Sequence, residues 1–137
     1  MATPVVRLRT VALDCPDPHA LAAFYAGLIG GTIHDYDGDG EWVELLAPGR
    51  VRIAFQRADG HTPPEWPRSD TNGQQFHLDF DGGSTWAEID AAQERAFALG
   101  ARPLDLDDGG GKRDWRVYAD PAGHPFCFCL VAEADRV

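Results

Sequence analysis

Apolar residues along the chain change period at intervals, and the changes outline one series of elements twice. Residues 7–13 alternate, with Val11 and Leu13 on one side and Thr10 and Ala12 on the other, as in a half-buried strand. Asp14-Cys15-Pro16-Asp17-Pro18 then breaks the pattern. Asp17 is suited to cap a helix, and Pro18 fits its first position, where a missing N–H costs nothing. Leu21, Phe24, Tyr25 and Leu28 recur at helical spacing, and Gly30-Gly31 offers the left-handed residue that ends a helix. Three short strands are predicted over 32–35, 41–46 and 51–56, with turns at Asp37-Gly38-Asp39-Gly40 and Pro48-Gly49.

The second half repeats that order. Residues 74–80 alternate, Phe76, Leu78 and Phe80 facing one way and Gln75, His77 and Asp79 the other. Thr85-Trp86-Ala87-Glu88 has capping-box spacing, and Trp86, Ile89, Ala92, Ala96 and Leu99 form an apolar helical face closed by Gly100. Strands are predicted over 102–104, 115–119 and 126–130. Trp42 and Pro48 match Trp115 and Pro121 at one offset, and Gly49 matches Gly123 after one inserted residue. A duplicated unit accounts for this better than chance. Residues 57–73, with Pro63-Pro64 and Pro67 around Trp66, read as an ordered surface crossover anchored by Trp66. The loop 105–114, with Gly109-Gly110-Gly111, reads as a tolerated surface loop, with a lid over a ligand as the alternative.

Composition narrows the partners. The chain of 137 residues is 44% hydrophobic and 25% charged, which suits a folded domain with a real core. A net charge of −10 opposes nucleic-acid binding, which needs a basic face, and is compatible with a neutral or cationic ligand. No apolar run approaches a membrane span, and the stretch with Pro4, Arg7 and Arg9 lacks a signal-peptide core, so the expected location is cytoplasmic. Cys15, Cys127 and Cys129 are odd in number and lack CxxC spacing, which predicts reduced thiols and no structural zinc site.

Several segments together resemble the vicinal oxygen chelate superfamily, specifically its glyoxalase-like and bleomycin-resistance-like members. They are Leu13-Asp14-Cys15-Pro16-Asp17 running into Ala23-Phe24-Tyr25 and Leu28-Ile29-Gly30, then Gln75-Phe76-His77-Leu78-Asp79, Ala98-Leu99-Gly100-Ala101, and Asp120-Pro121-Ala122-Gly123-His124-Pro125-Phe126. The resemblance implies one α+β domain over 1–137 made of two βαβββ modules, about 5–56 and 74–131, joined by the crossover 57–73. It further implies a U-shaped mixed sheet with helices outside, a small organic ligand inside, and a homodimer. The alternation agrees: Phe76, Leu78 and Phe80 can pack beneath the second helix, as can Phe126, Phe128 and Leu130. That leaves Gln75, His77, Asp79, Cys127 and Cys129 for the concave face, unless the last strand is buried on both sides and its cysteines are plain core.

Metal-dependent members present His, Gln and Glu ligands on the first and last strands of each half. Carried over by position, those places hold Thr10, His77 and Cys127, while in the strand 51–56 repeat alignment gives Ile53 and ligand chemistry gives Gln56. Threonine is a poor ligand, and His77 is the one good candidate, so no cofactor is predicted and a divalent metal is the alternative. The glutamate that glyoxalase I activity requires is missing. His77 reads as a pocket hydrogen-bonding group or general base, or else as a histidine satisfied by a backbone carbonyl. Cys127 reads as a buried apolar residue, with a nucleophile as the alternative. Trp42 and Trp115 could wall a pocket for a flat ligand or fill packing. His124 lies in a turn and reads as structural. The expected ligand-binding set is thus Thr10, Trp42, Gln56, Gln75, His77, Asp79, Trp115 and Cys127. The expected function is a binder of a small organic molecule; the alternative is a lyase, isomerase or dioxygenase using His77.

Overall fold

A computed structural model describes residues 2–67, 70–107 and 109–136 of the chain. Arg68 and Ser69 of the expected crossover, and Asp108 of the glycine-rich loop, lie outside the described residues. The chain divides into two compact units, Met1–His61 and Thr62–Val137, with the division inside the expected crossover.

The first unit contains β1 (Val11–Cys15), α1 (Pro18–Ile29), β2 (Thr32–His34), β3 (Trp42–Ala47) and β4 (Val51–Arg57). The second contains β5 (Leu78–Gly83), α2 (Trp86–Ala98), β6 (Arg102–Asp105), β7 (Trp115–Ala119) and β8 (Pro125–Leu130). Each unit forms a four-stranded mixed sheet, in the order β1-β4-β3-β2 and β5-β8-β7-β6. In both, the first strand pairs parallel to the last and the remaining pairs are antiparallel. The expected pair of βαβββ modules is therefore present.

Local chemistry sets the helix boundaries. Asp17 accepts a hydrogen bond from Ala20 N at 3.1 Å, Pro18 opens α1, and Gly30 closes it with φ 76°. Thr85 caps α2 by accepting from Glu88 N at 3.2 Å, and its hydroxyl in turn donates to the Glu88 carboxylate. In the first unit β1 packs with α1; Leu13 and Cys15 of β1 are buried, as are Leu21, Phe24 and Tyr25 of α1. Tyr25 stacks on Phe55 of β4 with ring centroids 5.8 Å apart.

In the second unit Phe80, Tyr118, Phe126 and Phe128 form an aromatic cluster with Ile89 and Ala96 of α2 buried nearby. The Tyr118 hydroxyl donates to Gln93 Oε1 at 2.8 Å, joining β7 to α2, and burial pushes its pKa up to about 12. Gly82 lies where α2 packs on β5, and a Cβ there would lie 2.6 Å from Ile89 Cδ1 and 3.0 Å from Phe128 Cβ. Among the described residues, no helix is long and apolar enough to cross a membrane.

Both leading strands begin later than their alternation predicts. β1 starts at Val11 rather than residue 7, and β5 at Leu78 rather than residue 74. The reason is the parallel partner. Val11 pairs with Ile53 and Leu78 with Phe126, so residues 7–8 and 74–76 lie beyond the ends of β4 and β8, which begin at Val51 and Pro125. Phe76 consequently does not pack beneath the helix; it is 60% exposed.

The repeat register also needs correction. Trp42 faces Gln56 as Trp115 faces Cys129, a constant offset of 73 residues with no insertion. The position equivalent to Cys127 is therefore Ala54, not Ile53, and Gln56 corresponds to Cys129. Gly123 corresponds to Arg50 instead of Gly49, and Arg50 accordingly has φ 62° without being glycine. In the second of these turns Asp120 is fully buried and accepts from Ala122 N at 2.9 Å and His124 N at 3.0 Å. Its other oxygen lies 2.8 Å from His124 Nδ1. His124 is thus a structural residue, as its place in a turn suggested.

Candidate functional site

Strand pleating in the second unit separates a helix-facing layer from a cavity-facing one. Phe80, Tyr118, Phe126 and Phe128 take the helix side, which leaves Asp79, Trp115, Val117, Cys127 and Cys129 for the opposite side. There they border a cavity of about 460 Å³, together with His77, Trp66 and Asp114. Trp66 reaches this position because the crossover doubles back on itself. Glu65 N donates to Asn72 O at 2.7 Å, and Asn72 Nδ2 donates to Pro63 O at 2.8 Å.

Asp79 organises the polar corner of the cavity. His77 precedes β5 by one residue and projects to the same side, placing its Nε2 3.2 Å from Asp79 Oδ1. Directly across the parallel ladder from Asp79 stands Cys127, only 5% exposed. Burial pushes the Cys127 thiol up to about 12, and the Asp79 carboxylate, which accepts its hydrogen bond, adds to the effect. Burial likewise raises Cys129 to about 11, with Asp79, Asp114 and Asp81 contributing. A catalytic thiolate needs a cationic neighbour. Here the thiol's hydrogen-bond partner is the Asp79 carboxylate, an anion, which opposes formation of that thiolate.

Among the described residues, His77, Asp79 and Cys127 form a group whose nitrogen, oxygen and sulfur donor atoms all lie within 4.8 Å of one another. That donor set is chemically competent to hold a divalent cation, and the cavity leaves an open side for a further ligand. The neck of the loop after β6 is clasped at its base. Arg113 NH1 donates to Asp105 Oδ2 at 3.0 Å and NH2 donates to Asp105 O at 3.2 Å, holding the Asp105 carboxyl below the usual carboxylate range. The Arg113 guanidinium also lies over Trp115, 5.0 Å from the ring centroid.

The remaining expected residues fall elsewhere. Gln75 is exposed and does not border this cavity. Thr10, Trp42 and Gln56 belong to the first unit, where the Thr10 hydroxyl donates to Arg52 O at 3.2 Å and Gln56 is exposed opposite Trp42. Trp42 Nε1 donates to Glu44 Oε2 at 2.9 Å, and Arg52 donates to the other oxygen. The Trp42 bond, followed by Arg52, holds the buried Glu44 carboxyl below its ordinary range despite desolvation. Sequence reasoning passed over Glu44 and Asp114, and read Trp66 only as the anchor of the crossover. Glu44 had one signal, a carboxylate between apolar neighbours two residues from Trp42. No signal placed Trp66 or Asp114 at the cavity, because their approach to it depends on how two loops return.

Comparison with known proteins supports the architecture. A search of curated proteins finds no match. Among solved structures, fosfomycin resistance protein FosX from Mesorhizobium loti is 17% identical with a TM-score of 0.64, covering 97% of this chain and 98% of that one. A FosX from Listeria monocytogenes, solved with Mn(II) and 1S,2S-dihydroxypropylphosphonic acid, is 17% identical with a TM-score of 0.63, covering 98% and 99%. A glyoxalase/bleomycin resistance/dioxygenase family enzyme from Burkholderia phytofirmans PsJN is 21% identical with a TM-score of 0.64, covering 90% and 97%. At these identities the likeness is one of fold. The sequence model described as "Glyoxalase-like domain" matches residues 10–129, nearly the whole chain, and the protein therefore belongs to the glyoxalase-like domain family.

Proposed function

We propose that the protein binds a small organic molecule in the cavity of its second unit. The observation that carries this reading is the cavity's composition. About 460 Å³ lies between Trp66, Trp115 and Val117, with His77 and Asp79 converging at one corner. That volume and mix of aromatic wall with few polar groups suit a small ligand. Asp79 and Asp114 favour a cationic or hydrogen-bond-donating one, and a flat ring would stack on Trp115. His77 orients the ligand by hydrogen bonding. Glyoxalase I activity is not part of this reading, because the place of the family's glutamate is taken by Cys127. The wider reading keeps a cytoplasmic homodimer that binds neither nucleic acid nor membrane, as the superfamily resemblance and the net charge of −10 suggest.

The test is titration of tryptophan fluorescence with a planar aromatic cation such as acriflavine, alongside fosfomycin as an anionic probe. Saturable quenching by the cation, weakened about tenfold or more in Trp115→Ala and Asp79→Asn, is expected. No saturable signal from either probe, or one indifferent to both substitutions, overturns the reading. Light scattering tests the homodimer: a species of only 14.9 kDa refutes it.

A second reading is favoured by the His77, Asp79 and Cys127 donors lying within 4.8 Å of one another. On it, the protein is a lyase, isomerase or dioxygenase. A divalent metal held by these three residues would act as a Lewis acid toward a substrate oxygen. In that case His77 and Asp79 fix the approach of the substrate, and Trp66 and Trp115 exclude water from one side of the cavity.

A further inference from the structure

We propose that His77, Asp79 and Cys127 make a centre selective for a thiophilic divalent cation, zinc above all, over the hard ion manganese. The proposal rests on the metal-assisted reading and specifies which metal that site takes. The argument starts from donor identity. An imidazole nitrogen, a carboxylate oxygen and a thiolate sulfur match the ligand types of four-coordinate zinc, at bond lengths of about 2.0–2.3 Å. Manganese and magnesium prefer six oxygen-rich positions and gain little from sulfur.

Position reinforces identity. Asp79 and Cys127 are direct partners on the β5–β8 ladder, so their donor atoms converge without a change of register. His77 lies two residues before Asp79 on the same side, already 3.2 Å from its carboxylate. Donors within 4.8 Å of each other need only about 1 Å of closure to share a cation with zinc bond lengths. Cys127 is buried at the base, whereas His77 and Asp79 stand 40% and 60% exposed at the mouth. An ion can therefore enter from the cavity and keep a coordination position facing it. On binding, the S–H bond of Cys127 breaks, its proton leaves to water, and a metal–sulfur bond forms. No electron is transferred. With His77 neutral, the two anionic ligands balance the charge of the divalent ion.

The experiment is metal titration of chelator-treated protein by calorimetry with Zn²⁺ and with Mn²⁺, and by absorbance with Co²⁺. Expected are one Zn²⁺ per chain, Mn²⁺ weaker by about a hundredfold or more, and a near-ultraviolet thiolate-to-cobalt charge-transfer band. Cys127→Ser abolishes the band and most of the preference for zinc, while His77→Ala weakens Zn²⁺ and Co²⁺ binding about tenfold or more. His77 is half exposed, so that variant folds normally by circular dichroism. If Mn²⁺ binds as tightly as Zn²⁺ and Cys127→Ser changes neither, the selectivity fails while a metal site stands. If no ion binds wild-type protein, both the selectivity and the metal-assisted reading fail.

Discussion

Arg50 stands in the first module where Gly123 stands in the second, and both hold a positive φ, 62° and 90°. A side chain in that region costs of order 1 kcal/mol, which glycine avoids. Arg50→Gly is expected to stabilise the protein by a few tenths to about 1 kcal/mol in urea unfolding, since part of the gain is lost to the freer unfolded chain. The reverse change at the equivalent turn is severe. A Cβ at Gly123 would lie 2.4 Å from Pro63 Cβ, so Gly123→Ala is expected to destabilise by about 2 kcal/mol or more.

Glu44 predicts a pH dependence. Its carboxyl is held low by Trp42 and Arg52, so its contribution is complete above the unfolded value near 4.5. The contribution disappears as pH falls through the lower folded value. Glu44→Gln is expected to lose about 2–3 kcal/mol at pH 7, with the wild-type advantage shrinking below about pH 4.5. Paired melts at pH 7 and pH 3.5 test this, and an advantage that grows toward acid would contradict it.

Asp120 should be among the most sensitive polar positions. Asp120→Ala removes the acceptor for Ala122 N and His124 N within a buried turn, for an expected loss of about 2–4 kcal/mol. His124→Ala keeps both backbone bonds and should cost less. Equal losses in chemical denaturation would mean that the imidazole, rather than the backbone amides, secures the turn.

Two phenylalanines separate the expected strand from the observed one. Phe76→Ser should change stability by no more than about 0.5 kcal/mol, because the ring is mostly exposed. Phe126→Ala should cost about 3–5 kcal/mol, because that ring is fully buried against Phe80, Tyr118 and Phe128. A large loss at Phe76 would place it in a packed strand after all.

Much of the architecture could be read from the chain alone. The cap at Asp17, the capping box from Thr85 to Glu88, the glycines closing both helices and the spacing of Phe126, Phe128 and Leu130 in β8 depend on near neighbours. Local sterics and hydrogen bonding fix such features wherever they occur. The repeat of these signals was enough to reveal two βαβββ modules.

Tertiary structure decided what local signals leave open. Alternation predicts a strand but not where its partner begins, so residues 7–8 and 74–76, beyond the reach of β4 and β8, stay outside β1 and β5. The turn residues alone suggested an insertion, and only the pairing of Trp42 with Gln56 and Trp115 with Cys129 removed it. The cavity followed the same rule. His77, Asp79 and Cys127 were each visible as candidates, but their meeting depends on a parallel pairing across some fifty residues of chain. Trp66 and Asp114 join them through returning loops that no periodicity encodes. Contacts between residues far apart in sequence are set by packing of the whole unit, and that packing brought separate candidates together at one cavity.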